Sequence, residues 1–251
     1  MSHPLIPIGT LITESWHQFV RNWNQTLRFS VWFMVAPILM FLAALLTRSS
    51  PAIGGAIFFL FALLNVILAT WIGIRLIIWI LANDKNKTPE PNEARLAWSF
   101  FFPLIWVSLL TGLAVLGGLV LFVIPAIWLA INLLFAGYFL IEDNLRGTQS
   151  LAASWALVKG RWWGTFWRVI VAYVLFIIIS IILVNILSAI FGIIVAPAKI
   201  NYVFNIYNPI SGDLMTIAGS YLVQGILNLL LLPLAITWSV KLFHSLKESK
   251  G

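Results

Sequence analysis

The sequence contains no cysteine, which excludes disulfide bonds, thiolate catalysis and metal sites built on thiolates. Its three histidines, His3, His17 and His244, are far apart and share no metal-ligand spacing. No Walker motif or dinucleotide fingerprint is present, and all eight Asp and Glu residues lie away from the middle of the apolar segments. We therefore expect no enzymatic activity, no bound metal and no cofactor.

Charge is also scarce. Only 9% of the residues are charged, against about 25% in ordinary soluble domains, and 61% are hydrophobic. A soluble fold could not cover its surface with so few charges, so lipid must solvate most of the chain. The 15 Lys and Arg exceed the 8 Asp and Glu and lie at the ends of apolar segments. This pattern predicts membrane lipids as partners, and no nucleic acid.

Long apolar runs predict an all-α fold, a polytopic membrane helix bundle in one integral membrane domain, 1–251. A bilayer core about 30 Å thick needs roughly 20 helical residues to cross it. The predicted spans are Leu27–Leu46, Ile53–Ala82, Ser99–Leu116, Leu119–Ile141, Phe166–Ala196 and Leu214–Phe243. The third and fourth come from one uncharged run, and we place the turn between them at Gly117-Gly118, because a glycine costs a helix about 1 kcal/mol.

The basic residues also predict the orientation. All but two of the 15 lie on one set of flanks, and only Arg48 and Lys199 lie on the other. Because short cytoplasmic flanks carry the excess of Lys and Arg, both termini are expected in the cytoplasm. The predicted location is a prokaryotic inner (cell) membrane.

Two segments have helical periodicity without enough apolar length to span, Gly9–Trp23 and Thr148–Trp163, and Asn92–Ser99 is a weaker third candidate. Both resemble amphipathic interfacial helices that lie flat on the membrane, here on its cytoplasmic face. They supply the predicted residues for contact with lipid headgroups, which are Trp16, Arg21, Trp23, Trp155, Lys159, Arg161, Trp162 and Trp163.

These two helices also match each other. Ser15-Trp16, Trp23 and Thr26 align with Ser154-Trp155, Trp162 and Thr165 at a constant offset of 139 residues. The match indicates an internal repeat with two copies, 9–82 and 148–243. In a three-copy form of the hypothesis, Asn92–Ser99 begins a degenerate third copy. Chance is the alternative explanation, since the chain has 13 tryptophans.

Polar side chains inside the spans form the second candidate site. This possible intramembrane polar cluster comprises Asn65, Arg75, Asn132, Asn185, Gln224 and Asn228. The amides either bond between helices as packing contacts or line a hydrated cavity. Arg75 either contacts a substrate or extends to the nearby headgroups. The one adjacent acidic pair, Glu142-Asp143, is interpreted as a solvated helix end, with binding of a cation or an arginine as the alternative.

One stretch resembles a known family. Its parts are 116–127, with Pro125-Ala126-Ile127, then the acidic corner 141–147, then Ser154–Trp163, which reads SWALVKGRWW. It resembles the six-helix prokaryotic membrane proteins related to the membrane domain of glycerophosphodiester phosphodiesterases and to YciC-type inner-membrane proteins. The family pattern has Pro-Gly-Ile where this chain has Pro-Ala-Ile. The resemblance implies an accessory or lipid-facing role in the envelope, and it carries over no catalytic residue.

Two functions are compatible with these features. The first is a non-catalytic integral membrane protein of the cell envelope that acts through lipid or protein contacts, alone or as a homo-oligomer. The alternative is a transporter or flippase-like carrier of a lipid or small amphiphile. Convergence of the mid-membrane amides on a cavity would favour the carrier.

Overall fold

The computed structural model describes residues 5–49, 51–85, 92–195 and 214–250, which are almost entirely helical and contain no strand. The helices are α1 (Ile8–Arg21), α2 (Trp23–Ser30), a 3₁₀ segment (Val31–Met34), α3 (Val35–Ser49), α4 (Pro51–Asp84), α5 (Glu93–Leu121), α6 (Val123–Leu133), α7 (Ala136–Asp143), α8 (Thr148–Val158), α9 (Trp162–Val195) and α10 (Leu214–Glu248).

The predicted all-α class with six membrane-spanning segments is confirmed over these residues. Six stretches are long and apolar enough to cross a membrane: Trp23–Leu46, Gly54–Asp84, Glu93–Leu121, Val123–Asp143, Trp162–Phe191 and Ala218–Glu248. Each of the six helical stretches begins or ends beyond the predicted run, because helices continue into the polar flanks that a search for uncharged residues leaves out.

The turn between the third and fourth spans differs from the prediction at Gly117-Gly118. Both glycines are helical in α5, and the chain reverses at the single extended residue Phe122. A Cβ on Gly118 would lie 2.8 Å from Leu129 Cδ1 and 3.0 Å from the Ala126 backbone. Gly118 is therefore needed where α5 and α6 approach each other, and the turn needs no glycine because only one residue leaves the helix.

The third predicted surface helix is also wrong as a separate element. Asn92 precedes α5, and the rest of Asn92–Ser99 forms its first two turns, continuous with the apolar part of that helix. The other two segments do form short helices of their own, α1 and α8. Each is followed after one to three residues by a helix that begins at a tryptophan, Trp23 or Trp162.

The chain divides into two compact units. Unit 1 comprises Met1–Arg21, Gly73–Tyr173 and Leu234–Gly251, and unit 2 comprises Asn22–Ile72 and Val174–Pro233. In unit 1, the buried ring of Phe243 on α10 lies 5.8 Å from Phe135, 5.6 Å from Tyr138 and 5.0 Å from Phe139. In unit 2, Gly225 on α10 allows a close approach, since a Cβ there would lie 2.7 Å from Met34 Sδ.

A break in the fourth span is closed by α8. Helix α6 ends at Leu133 and α7 begins at Ala136. The fully buried hydroxyl of Ser154 donates to the carbonyl of Asn132 (2.7 Å) and accepts from the N–H of Phe135 (3.1 Å). Ser154 thus supplies hydrogen bonds at the break, and it fixes α8 against the two half-helices.

Candidate functional site: an ionic cluster and a basic, tryptophan-rich corner

Three helices of unit 1 end in charged residues that meet in one ionic cluster. Asp84 is the last residue of α4, Glu142 and Asp143 end α7, and α10 contributes Lys241, His244 and Lys247 from one face. A carboxylate at a helix C-terminus faces the negative end of the helix dipole, which is unfavourable without a neighbouring cation. The α10 side chains supply the cations that these helix ends need.

His244 is the centre of this cluster. Its Nδ1 lies 2.5 Å from Asp84 Oδ2 and its Nε2 lies 2.9 Å from Glu142 Oε2. Carboxylates only accept hydrogen bonds, so both ring nitrogens must donate, which only the imidazolium form can do. The side chains of His244, Asp84 and Glu142 are 11%, 13% and 9% exposed. The ring therefore bridges two nearly buried carboxylates on different helices.

Lysines complete the ionic cluster. Glu142 Oε1 accepts from Lys85 (2.7 Å) and from Lys247 (2.9 Å), and Lys247 also contacts Asp143 Oδ2 at 2.8 Å. Lys241 contacts Asp84 at 3.2 Å and lies 3.5 Å from Glu14 on α1. Four carboxylates thus face three ammonium groups and one imidazolium. The charges balance and each group already forms an ion pair. The arrangement is therefore better suited to holding the helix ends together than to proton transfer.

A cleft of about 580 Å³ adjoins the ionic cluster. Its walls include Ile6, Glu14, Asp84 and residues of the α10 end between Lys241 and Ser249. Carboxylates and an imidazole are possible metal ligands, yet within the residues that the structure describes no group of three such side chains is arranged to hold a metal ion.

The segment before α1 is tied to the same end of unit 1. The Ile6 N–H donates to Ser245 Oγ (3.2 Å), and the Ile6 carbonyl accepts from Arg168 Nε (2.9 Å) and Nη2 (2.6 Å). Arg168 also donates to the carbonyls of Leu5 (3.3 Å) and Gly164 (2.8 Å). Residues 5 and 6 are thereby fixed to α9 and α10 beside the cleft.

A basic corner forms where α8 ends, α9 begins and α10 ends. Gly160 turns the chain with φ +84°, a conformation that favours glycine. Arg161 donates to the hydroxyl and the carbonyl of Ser249, and Lys250 donates to the carbonyl of Ala156. Each cation lies at the carbonyl end of a helix, α10 or α8, where positive charge is stabilising. The basic corner is the set Lys159, Arg161, Trp162, Trp163 and Lys250.

No carboxylate of the described part of the chain forms an ion pair with the cations of the basic corner. Lys159 and Lys250 are exposed and Arg161 is half-buried. The ionic cluster is balanced in charge, whereas the corner carries three positive charges. An anion is therefore the complementary ligand for the corner.

The tryptophans near this corner divide into packing and exposed residues. Trp155 packs edge-on against Trp128 at 4.6 Å, and Trp162 stacks on Phe166 at 4.9 Å while its Nε1 donates to the Trp128 carbonyl (3.4 Å). Trp163 is 67% exposed. Of the predicted interfacial tryptophans here, Trp163 alone is free enough to insert its ring among lipids.

The remaining predicted interfacial residues belong to the N-terminal segment. On α1, Trp16 is 52% exposed and Arg21 is exposed. Trp23 is half-buried and is the first residue of α2, which belongs to unit 2. Trp16 and Arg21 therefore have the exposure that a headgroup contact requires.

The structure brings together only two of the predicted polar residues. In unit 2, Gln224 Nε2 donates to Asn228 Oδ1 (3.2 Å), one turn away on α10. Asn185 is exposed and donates to Ile181 O (2.7 Å) of its own helix, and Asn65 is half-buried. In unit 1, buried Asn132 donates to Trp128 O (2.8 Å), also in its own helix. These hydrogen bonds lie within single helices and are not interhelical packing contacts.

Arg75 belongs to unit 1, where it is half-buried. It lies close enough to Glu93, at the start of α5, to interact electrostatically with its carboxylate. This neighbour favours a structural role for Arg75 over contact with a substrate.

The ionic cluster was not predicted from the sequence, and the interpretation of Glu142 as solvated is wrong. A signal for it was present. Successive spans alternate in direction, so the C-terminal ends of the second, fourth and sixth share one side. Asp84, Glu142-Asp143 and the basic stretch from Lys241 stand at these three ends. Carboxylates are unfavourable at a helix C-terminus, so carboxylates at two such ends beside cations at a third indicate that the opposite charges pair.

The two aligned Ser-Trp segments share local geometry. Thr26 Oγ1 donates to Asn22 O (2.9 Å), and Thr165 Oγ1 donates to Arg161 O (3.2 Å). Both threonines are buried, and both pairs keep the offset of 139 residues. The serines differ: Ser154 makes two hydrogen bonds, whereas buried Ser15 Oγ has no partner among the described residues.

No family model matches this chain, and no curated protein and no solved structure matches it.

Proposed function

We propose that this is a non-catalytic, multi-pass membrane protein that binds the headgroups of anionic lipids at its basic corner. The observation that carries the proposal is the meeting of Lys159, Arg161 and Lys250 at the ends of three helices, without a carboxylate partner in the described part of the chain. Phosphate oxygens fit such donors. Exposed Trp163 is suited to the membrane interface, where tryptophan is enriched.

The same proposal gives the protein an orientation and a setting. The strong excess of Lys and Arg on one set of flanks supports a cytoplasmic location for the basic corner and for both termini. The resemblance of 116–173 to the six-helix prokaryotic family supports an inner membrane and an accessory role in the cell envelope. A membrane-protein partner or a second copy of the chain is the other kind of contact that this surface could make.

The carrier alternative has less support. It needs polar groups gathered around a path, and the amides of Asn132, Asn185 and Gln224 instead bond to acceptors within their own helices. The ionic cluster does not replace them, because its charges are already paired.

Native mass spectrometry of protein extracted in mild detergent tests the proposal. We expect wild type to retain anionic phospholipid and Lys159→Gln/Trp163→Ala to retain about fivefold less, since one basic residue near an anionic surface contributes about 1 kcal/mol. Both side chains are exposed, so their loss should leave the fold intact. The matched control is Arg48→Gln, which removes the same charge from the flank with few basic residues. Equal retention by the double variant, or wild type without lipid, would contradict the proposal.

A further inference from the structure

The reversal between α5 and α6 is the most exposed apolar part of unit 1. Its six residues, Leu119–Ile124, are all apolar and are 51–87% exposed, with Val120 at 87% and Phe122 at 78%. No charged, hydroxyl or amide side chain occurs anywhere from Gly112 to Ile131. We call Leu119–Ile124 the hairpin tip. We infer that the hairpin tip stays within the hydrocarbon of the far leaflet, among lipid acyl chains, and does not emerge into water.

The composition of the hairpin tip sets it apart from the other links on that side. The first and second spans are joined through Arg48, Ser49 and Ser50, and the fifth and sixth through a segment that contains Lys199 and Asp213. Those links have the charged and polar residues that a water-exposed turn needs. Exposure of six large apolar side chains to water would be strongly unfavourable, because removal of each such side chain from water lowers the free energy.

The length of the helical arm that follows the hairpin tip agrees with a tip that stays inside the hydrocarbon. The returning arm, Val123–Asp143, has 21 residues, which corresponds to about 32 Å. Its last two residues, Glu142 and Asp143, lie in the ionic cluster and hence outside hydrocarbon. The remaining length is close to the 30 Å or so of a hydrocarbon core, and any tilt shortens its reach. The arm is thus too short to carry the tip through the far headgroups.

The reversal keeps the N–H and the carbonyl of its one non-helical residue bonded internally, which favours a site without water. Only Phe122 leaves the helix, and its N–H donates to Gly118 O (3.0 Å) while its carbonyl accepts from Ala126 (3.4 Å). Pro125, in the first turn of α6, has no N–H that would need a partner. Gly118 allows the close approach of the two arms that this one-residue reversal requires.

Spin labelling can locate the tip, because the chain has no native cysteine. Full-length Phe122→Cys, labelled with a nitroxide and reconstituted into phospholipid vesicles, should collide readily with oxygen and at least tenfold less effectively with a water-soluble nickel complex. The control, Gln149→Cys at the exposed start of α8, should show the reverse preference. Val120→Cys offers a second label site if the first variant is poorly folded.

Each other result would overturn the inference. Ready collision of the tip label with the nickel complex would place the tip in water. Low collision with both reagents, together with spin–spin broadening, would place it against a second copy of the chain.

Discussion

Glu142 is the residue on which the ionic cluster depends most, so Glu142→Gln should destabilise unit 1. Its carboxylate contacts His244, Lys85 and Lys247, and its side chain is 9% exposed. Loss of a hydrogen bond to a charged group costs about 1.5–3 kcal/mol. The contact with His244 dominates, because Lys85 is 42% exposed and solvent weakens that pair, while Lys247 keeps Asp143 as a partner. We expect a loss of about 2–3 kcal/mol.

Thermal unfolding in detergent, followed by tryptophan fluorescence, measures this loss. For a chain of this size about 1 kcal/mol changes Tm by roughly 2–4 °C, so Glu142→Gln should lower Tm by about 5–10 °C. The matched control is Asp143→Asn on the neighbouring residue, whose side chain is 35% exposed. An exposed pair contributes at most about 1 kcal/mol, so its shift should be below about 4 °C.

Salt separates the two variants further. A nearly buried pair is screened less than an exposed one, so the effect of Glu142→Gln should persist at 0.5 M salt and that of Asp143→Asn should shrink. Equal shifts of Tm in the two variants would refute the idea that nearly buried ion pairs of Glu142 hold the helix ends together. It would be refuted equally by an effect of Glu142→Gln that disappears at high salt.

Two further substitutions test helix packing, one at the break in the fourth span and one at the close approach of α5 and α6. Ser154→Ala should cost about 1–3 kcal/mol, because it leaves the buried N–H of Phe135 without its acceptor; Ser99→Ala, which loses one exposed bond to its own helix, should change Tm little, and equal shifts would contradict this role of Ser154. Gly118→Ala should cost about 1–3 kcal/mol because its Cβ would meet the α6 backbone. Gly117→Ala has open space around it and should be neutral or stabilising in the same unfolding assay; a stabilised Gly118→Ala would show that α5 and α6 are not in close contact.

The sequence by itself was sufficient for the number of spans. Inside a bilayer, an uncharged run near 20 residues can satisfy its backbone N–H and C=O groups by forming a helix. The number of spans therefore follows from local composition. The short helices α1 and α8 were likewise visible, because their periodicity and tryptophans are local features. Trp16, Arg21, Lys159 and Trp163, which were predicted to contact headgroups, are exposed in the structure.

Local patterns failed where contacts between distant segments decide the outcome. Gly117-Gly118 has the composition of a turn, yet close packing of α6 on Gly118 keeps both residues helical. The amide of Asn132 was expected to bond to another helix or to line a hydrated cavity, and in the structure it donates to a carbonyl of its own helix at 2.8 Å. A side chain takes the nearest available partner, and sequence spacing does not reveal which partner is nearest.

Residues 57 to 227 positions apart meet in the ionic cluster, and only the tertiary structure establishes this. Six apolar segments and an excess of basic flanks follow from composition, because the bilayer acts on each segment separately. The pairing of Asp84 and Glu142 with His244 instead requires that three helices end at one level and face one another. That depends on helix rotation and packing, here fixed by rings such as Phe243 against α7, and no single segment encodes it.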